Sequence, residues 1–429
     1  MSMPNDKDHD LSPEEGSEER KYSFLQETIK PRPISREQLG KQFVRIAVYG
    51  VILGAFACIG FFALKPWAQN WFRGDLKTVT IPEDEEPSEE MEDGDQETEA
   101  SDPVVMDAEA YEMMLDSVEE IAAEARKGVV SVEPVSEEED WAAEMTGIRN
   151  GVTGLITADN GQEILILADV SVCEQSSEWD VVFQNDKHYS ASLKMKDENS
   201  GLAVFSVARG MLDDTTWGSI KVSVLGNSNL VTRGDLVIAL GNMFGYADGM
   251  SWGVVSSTEY KTTFYDGECD IIATDIPAEW SGTGVLFNME GEAVGLASSA
   301  IWEESGRTLV NAYAVSDLKL IIELLANGEA VPYVGIYGTT VTSELEQQQG
   351  MPSGVYVVDV DPDSPAMAAG IQSGDIICQV SGEKISGITA FQRALFAAQP
   401  GRTVNIQGQR LGADGYVDVD FTVAVEAKK

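Results

Sequence analysis

Side chains that could carry acid–base or metal chemistry are scarce in this chain. Histidine occurs twice, at His9 and His188, so a mechanism that needs an imidazole base has only these two candidates. The four cysteines are too few for a disulfide-built scaffold, and no two of them form a CxxC pair. With so few histidines beside them, a Cys/His zinc site is improbable. We therefore predict no metal site and no cofactor.

The overall charge narrows the classes of partner. The 429 residues include 29 Lys+Arg and 72 Asp+Glu, for a formal net charge of −43. Phosphate binding needs clustered basic side chains, so nucleic acid is not an expected partner.

The length suggests about three units of roughly 150 residues each, and an apolar share of 43% is enough to bury hydrophobic cores.

The N-terminal part predicts a membrane anchor. Residues 1–42 are polar, without an apolar period, and we interpret them as a disordered cytoplasmic tail. Residues 46–64 contain no charge and, at 19 residues, can cross a bilayer. We therefore assign a single transmembrane helix to residues 43–65. Basic residues are more frequent before this helix than after it, which predicts a cytoplasmic N-terminus and extracytoplasmic C-terminal domains; those before it are Lys30, Arg32, Arg36, Lys41 and Arg45.

An acidic linker follows at 66–105. Residues 78–140 hold 24 acidic and two basic side chains. The run 83–99 is too repulsive to fold by itself, which predicts an extended spacer. A calcium-binding tail is the alternative, but the ligand spacing of an EF-hand is absent.

Beyond the linker the pattern predicts a mainly β protein. A helical stripe over 107–126 precedes many short β runs, and Asn160-Gly161 between two of them is a strong hairpin signal. Closely spaced short strands are typical of a sandwich or barrel. The expected strands are 129–132, 152–157, 164–167, 179–183, 190–195, 202–207, 236–239, 253–256, 271–273, 284–287 and 293–297, followed by a helix at 315–325.

Residues 331–429 form a further unit. Its expected elements are strands at 354–360, 375–380, 403–407 and 417–425 and a helix at 389–398. Pro400-Gly401 separates that helix from the next strand.

Several blocks, in the same order along the chain, carry a family resemblance. Residues 234–245, GDLVIALGNMFG, resemble the stretch GD-x-VIAIGNPFG of the HtrA/Deg family, and 253–256, GVVS, resemble its strand GIVS. Residues 225–228, LGNS, resemble its LG-x-S turn, and 364–375 resemble the PDZ pattern SPA-xx-AG-xxx-GD. This family comprises membrane-anchored trypsin-like serine proteases with a C-terminal PDZ domain. The resemblance implies an all-β dominated fold: a trypsin-like double β-barrel at 106–330 and a PDZ domain at 331–429.

The same resemblance indicates where a catalytic triad would lie. The family histidine closes a strand reading ILTNNHV, and its place is taken here by Asp169 in ILILADV. The family aspartate begins a DLAVLK strand, and its place is taken by Gly201. The family serine lies in GNSGGPLLN; without a gap its place is taken by Gly282, and Ser281 stands one residue earlier. All three positions are therefore substituted.

The chemistry of the substituted side chains also predicts a loss of serine-protease catalysis. A serine hydroxyl needs a neighbouring base to become a nucleophile, and an aspartate carboxylate is a poor acceptor for an alcohol proton. Ser281 is the candidate nucleophile if the turn shifts by one residue. His188 is either a displaced base or a surface-turn histidine, and we favour the surface turn.

The C-terminal unit keeps the parts of a peptide-binding domain. Tyr333, Val334, Gly335 and Ile336 resemble the family's YLGI loop, whose backbone N–H groups would hold a terminal carboxylate. Phe391 and Leu395, four residues apart, either wall the peptide groove or belong to the core.

These observations favour a membrane-anchored pseudoprotease that binds polypeptide C-termini or unfolded proteins through its PDZ domain. One alternative is an active serine endopeptidase with a non-standard base. Enzyme activity is therefore left open, although the substituted triad favours an inactive protein. A structural envelope protein is the third. A homo-oligomer, as the resemblance implies, and a disulfide between Cys173 and Cys269 are also left open.

Overall fold

The computed structural model describes residues 49, 77–84, 107–135, 151–246, 248–278, 282–298 and 308–428. Its fold is built mainly from short strands. The predicted tail 1–42 lies outside these residues, as do the span 46–64 except Tyr49 and most of the acidic linker. Among the described residues, no helix combines the length and apolarity needed to cross a membrane. Residues from 77 onward belong to one compact unit, Gly74–Lys429.

The first six strands close into a barrel in the order β1-β2-β3-β6-β5-β4. The β2–β3 turn is the predicted Asn160-Gly161 hairpin: Gly161 has φ +90°, and the Asn160 side chain accepts hydrogen bonds from two following backbone N–H groups. The strands are β1 (Val129–Pro134), β2 (Val152–Asp159), β3 (Glu163–Asp169), β4 (Trp179–Val182), β5 (His188–Asp197) and β6 (Leu202–Ala208).

The next six strands close a second barrel in the order β10-β11-β12-β9-β8-β7. They are β7 (Leu236–Gly241), β8 (Met250–Phe264), β9 (Gly267–Pro277), β10 (Gly284–Phe287), β11 (Ala293–Ala297) and β12 (Leu309–Ala314). The predicted double barrel is thereby confirmed. The hairpin of β8 and β9 is much longer than the sequence prediction, because its outer half alternates polar and half-buried residues that a search for apolar runs passes over.

Helices pack against strands of both barrels. The long helix α1 (Ala108–Arg126) begins at Asp107, whose side chain accepts a hydrogen bond from the Ala110 N–H at 2.9 Å. The shorter helices in this part are α2 (Val172–Gln175) and α3 (Asp214–Ser219), and α4 (Val315–Ala326) follows β12. Apolar side chains of α1 and α4 pack in one core cluster with side chains of both barrels.

The C-terminal unit is a sheet in the order β13-β14-β15-β17-β18, with β16 paired to β15. Its strands are β13 (Ile336–Thr340), β14 (Val355–Val360), β15 (Asp375–Val380), β16 (Glu383–Lys384), β17 (Thr403–Gly412) and β18 (Gly415–Ala424), and its helices are α5 (Ser343–Gln349), α6 (Pro365–Ala369) and α7 (Ile388–Phe396). This unit has a hydrophobic core of its own, and β13 lies at the edge of its sheet.

One short part of the predicted spacer is bound to the folded unit. Residues 77–84 run along α4, where the Asp84 carboxylate accepts hydrogen bonds from the Lys319 ammonium at 2.7 Å and the Ser316 hydroxyl at 2.5 Å. The backbone N–H of Val79 donates to the Asn327 side chain at 2.9 Å. These eight residues fall in the predicted linker 66–105, and here they are docked on the folded unit, where the buried Lys319 offers the acidic chain a partner.

Candidate functional site

The residue in the place of the family's histidine is held by the opposite barrel. Asp169 ends β3, a strand of almost wholly buried residues, and its side chain is itself buried. The Ser298 hydroxyl, directly after β11 in the second barrel, donates to one carboxylate oxygen of Asp169 at 2.6 Å. The backbone N–H of Ser171 donates to the other oxygen at 2.9 Å. Asp169 therefore acts as a fixed acceptor that joins the two barrels.

Gly201 lies beside this pair. It has φ +75° in the turn between β5 and β6, and its carbonyl accepts a hydrogen bond from the Val170 N–H at 2.9 Å. A Cβ atom built on Gly201 would lie 4.0 Å from the Ser298 hydroxyl oxygen. The fold thus places Asp169 and Gly201 close together, and neither carries a basic side chain.

Gly282, in the place of the serine, has no room for a side chain. A Cβ atom there would lie 2.1 Å from the Cα atom of Met243 and 2.8 Å from its backbone nitrogen. Backbone atoms cannot move aside as a flexible side chain can, so a serine at this position would collide with the chain. Ser281, the nearby candidate nucleophile, lies outside the described residues.

A polar network next to Gly282 joins the two barrels. Thr153 of β2 donates its N–H to the Thr283 hydroxyl at 2.7 Å and its hydroxyl to the Thr283 carbonyl at 2.8 Å. The Asn242 side-chain oxygen accepts the Thr283 N–H at 2.7 Å, and the Asn242 N–H donates to the Thr153 hydroxyl at 3.0 Å. Sequence reasoning missed this network, although Asn242 and Thr283 stand inside the matching blocks, because their partner Thr153 lies far away along the chain.

A cavity of about 610 Å³ opens near this network without including the triad positions. It is lined by residues of β1 and β4, by Arg126 at the end of α1, and by Tyr246 and Asp248 in the loop after β7. Asp169, Gly201 and Gly282 are not among its lining residues. This cavity therefore does not coincide with the three triad positions.

His188 and two cysteines are the remaining candidate groups. His188 is exposed at the start of β5, after the turn residue Asp186 with φ +57°, in accordance with a surface histidine. Cys173 and Cys269 are free thiols in this structure. Burial raises the pKa of the Cys173 thiol to about 11, and burial also raises the pKa of the Cys269 thiol well above its ordinary value. Neither thiol is thus a ready nucleophile at neutral pH.

The loop proposed for carboxylate binding donates its backbone N–H groups to a carboxylate of this same chain. The backbone N–H groups of Val334, Gly335 and Ile336 donate to the Asp266 side chain at 2.7, 2.8 and 2.8 Å. Asp266 lies at the tip of the β8–β9 hairpin. Burial raises the pKa of its carboxyl to about 6, against the opposite effects of the three N–H donors and of the Lys428 ammonium. The sequence analysis singled out this loop but not Asp266 as its partner, since Asp266-Gly267 in the sequence indicates only a turn.

The remaining loop and groove residues have structural partners. The Tyr333 hydroxyl donates to the Asp361 carboxylate; burial and this hydrogen bond raise the pKa of Tyr333. Phe391 and Leu395 are wholly buried in the core of the C-terminal unit. Their burial agrees with the core interpretation, and the groove-wall interpretation stays a prediction.

Comparisons with known proteins agree with this architecture. Residues 152–296 match the model of a trypsin-like peptidase domain, and residues 332–423 match that of a PDZ domain. A probable periplasmic serine endoprotease, DegP-like, of Halomonas elongata is 28% identical over 274 residues, or 62% of this chain and 55% of that protein. A serine protease Do-like HtrA of Lactobacillus helveticus is 26% identical over 291 residues, or 64% of this chain and 68% of that protein.

The chain is similar to HtrA-type serine proteases. Among solved structures, the HtrA-type protease AlgW with a decapeptide is 20% identical with a TM-score of 0.50, covering 72% of this chain and 98% of that one. The same protease with a tripeptide is 22% identical with a TM-score of 0.51, covering 72% and 96%. These likenesses show a shared fold. The chain spans little more than half the length of the Halomonas relative.

Proposed function

We propose that this HtrA-type chain is a membrane-anchored pseudoprotease that binds polypeptide C-termini outside the cytoplasm through its PDZ domain. The observation that carries the proposal is the Asp169–Ser298 hydrogen bond, which occupies a carboxylate where a protease needs an imidazole base. Crowding at Gly282 supports it, since a side chain there meets the backbone of Met243. Without a base and an aligned nucleophile, only substrate binding and partial stabilisation of an oxyanion would remain as sources of catalysis.

The location rests on the sequence and on relatives. The uncharged run 46–64 and the basic excess before it support one membrane span with the N-terminus in the cytoplasm. The Halomonas relative is described as periplasmic, which agrees with folded domains on the far side. Protease added to intact spheroplasts should then digest the PDZ domain, whereas full protection until lysis would refute this topology.

The peptide-binding role rests on the loop. Three convergent backbone N–H groups are the device with which a PDZ domain holds a terminal carboxylate. The proposed ligands are C-termini of polypeptides, including unfolded ones; affinities in the micromolar range correspond to about −8 kcal/mol. Assembly as a homo-oligomer, with peptide binding by several copies, is part of the same proposal.

The rival is an active serine endopeptidase that uses Ser281, and the names of the relatives favour it. A fluorophosphonate probe separates the two, because it labels only an activated serine. The pseudoprotease predicts no labelling of the wild-type chain above that of Ser281→Ala. Labelling that disappears in Ser281→Ala would establish the rival instead.

A further inference from the structure

The tip of the β8–β9 hairpin reproduces the contacts expected of a bound peptide end. Asp266 presents its carboxylate to the N–H groups of Val334, Gly335 and Ile336, and its own backbone N–H donates to the Ile336 carbonyl at 2.7 Å. The last residue of a peptide that extends a sheet offers the same two groups, a carboxylate and a neighbouring N–H. Asp266 supplies them from an internal position, with its side chain replacing the terminal carboxylate.

Aromatic and basic side chains hold this tip in place. The ring of Tyr265 lies edge-on to Tyr333 and Tyr337, with centroids 6.2 and 6.1 Å away. The Lys428 ammonium lies 4.2 Å from the centre of the Tyr265 ring. The Asn199 side chain donates to the Tyr265 carbonyl at 2.6 Å, which ties the tip to the first barrel as well.

The hairpin also fills the space beside the edge strand. Both β8 and β9 contact β13, and β9 contacts α7. A Cβ atom on Gly267 would lie 2.6 Å from the side-chain nitrogen of Gln392 on α7, so the hairpin approaches this helix closely. A peptide added along β13 would have to occupy space that the hairpin holds.

We propose that the tip Tyr265-Asp266-Gly267 is an intramolecular ligand of the PDZ domain, and that a polypeptide C-terminus enters the loop only by displacing Asp266. The inference rests on the proposed peptide-binding function and adds its regulation. Two carboxylates cannot share the same three N–H donors, so internal and external ligands exclude each other. Asp266 has φ +63°, a conformation that asparagine and glycine tolerate well, so these two replacements remove the carboxylate without adding backbone strain.

The test uses the full-length chain purified in mild detergent, as wild type, Asp266→Asn, Asp266→Gly and Glu268→Gln. Glu268→Gln is the matched control, because Glu268 lies on the same hairpin and pairs with Lys261 at 3.0 Å within it. The probes are fluorescein-labelled decapeptides ending in Val, Leu or Phe, each with a free carboxylate or a C-terminal amide. Fluorescence anisotropy measures their binding, and mass spectrometry measures amide hydrogen exchange over residues 334–336.

We expect both Asp266 variants to exchange these amides at least tenfold faster than wild type and to bind a free-carboxylate peptide at least tenfold more tightly. Glu268→Gln should match wild type in both assays, and amidated peptides should bind poorly to all. Equal exchange in wild type and Asp266→Gly, or equal peptide affinity when binding is seen, would overturn the internal ligand. Faster exchange without binding of any peptide would support the internal ligand and refute the proposed capture of C-termini.

Discussion

At the residue scale, the described polar side chains that join the two barrels are hydrogen-bonded to each other. The Ser298 hydroxyl is bound to Asp169, and Thr153, Asn242 and Thr283 form a closed set of hydrogen bonds. Hydrogen bonds of this kind stabilise a fold, since a buried polar group without a partner costs about 1–3 kcal/mol. A catalytic site instead needs a base and a nucleophile aimed at open space.

Gly282→Ser tests the crowding at the serine position. The new side chain would place its Cβ atom 2.1 Å from the Met243 Cα atom, so we expect a loss of about 2 kcal/mol in the free energy of unfolding. Gly210→Ser is the control, because no atom lies within 4 Å of a Cβ atom there. Urea unfolding should show a change below about 0.5 kcal/mol for the control. Equal stability of both variants would mean that Gly282 has space for a nucleophile.

At the scale of the elements, helix α4 connects the core of the barrels with the segment 77–84. Its buried face joins the common core of the barrels, and Lys319 on it binds Asp84 of the segment 77–84. The side chain of Lys319 is 5% exposed, so this ammonium depends on its partner. An acidic run that looks like a uniform spacer in the sequence therefore includes a structural segment.

Asp84→Ala should destabilise the fold by about 3 kcal/mol, because it leaves the Lys319 ammonium buried without this counter-charge. The neighbouring Glu83→Ala removes only an exposed contact with Arg393 at 3.7 Å and should change stability by less than about 1 kcal/mol. Thermal or urea unfolding of the two variants measures the difference. If both behave alike, the segment 77–84 is not part of the stable unit.

The β8–β9 hairpin predicts a dependence on pH. The carboxyl of Asp266 has a pKa raised from 3.8 to about 6, so the docked hairpin binds its proton more tightly than the unfolded chain does. Its contribution to stability is therefore largest below pH 3.8, falls as the pH rises to about 6, and is constant above. The charged and titratable groups around it are Lys428 and Tyr333, with Asp361 behind Tyr333.

The measurement is urea unfolding of wild type and Asp266→Asn at pH 4.5 and pH 7.5. The stability of wild type relative to the variant should be greater at pH 4.5 by about 2 kcal/mol, since each unit of pKa shift is worth about 1.4 kcal/mol. An unchanged difference between the two pH values would show that Asp266 is not buried in the docked loop.

Local signals explain which parts could be predicted from the sequence. Strands that cross a core, such as β10 and β11, were predicted with their observed limits because their residues are uniformly apolar. The edge strand β13 and the outer hairpin of β8 and β9 were missed or shortened because they are partly polar. The resemblance located Asp169 and Gly201, but the partners Ser298 and Asp266 depend on tertiary packing between distant segments, which no local pattern encodes.

At the scale of the whole molecule, carboxylates connect the parts. Asp169 joins the first barrel to Ser298 of the second, Asp266 joins the second barrel to the PDZ domain, and Asp84 joins the segment 77–84 to α4. The positions that would host proteolysis and peptide capture therefore contribute to the packing of the domains. A chain of this kind is suited to binding regulated by displacement, which is how we interpret the Asp266 contact.

The most direct test of the account is casein cleavage by the full-length chain. The assay compares four chains from neutral to alkaline pH: wild type, Asp266→Asn, and each of these with Ser281→Ala. Asp266→Asn is included so that an occupied PDZ loop cannot hide activity. We predict that no chain cleaves casein above its Ser281→Ala counterpart, because the residual rate of about 10³–10⁴ over water that survives loss of a triad is too slow to detect. Cleavage by wild type or Asp266→Asn that disappears in Ser281→Ala would contradict the pseudoprotease and identify an active protease with an unconventional base.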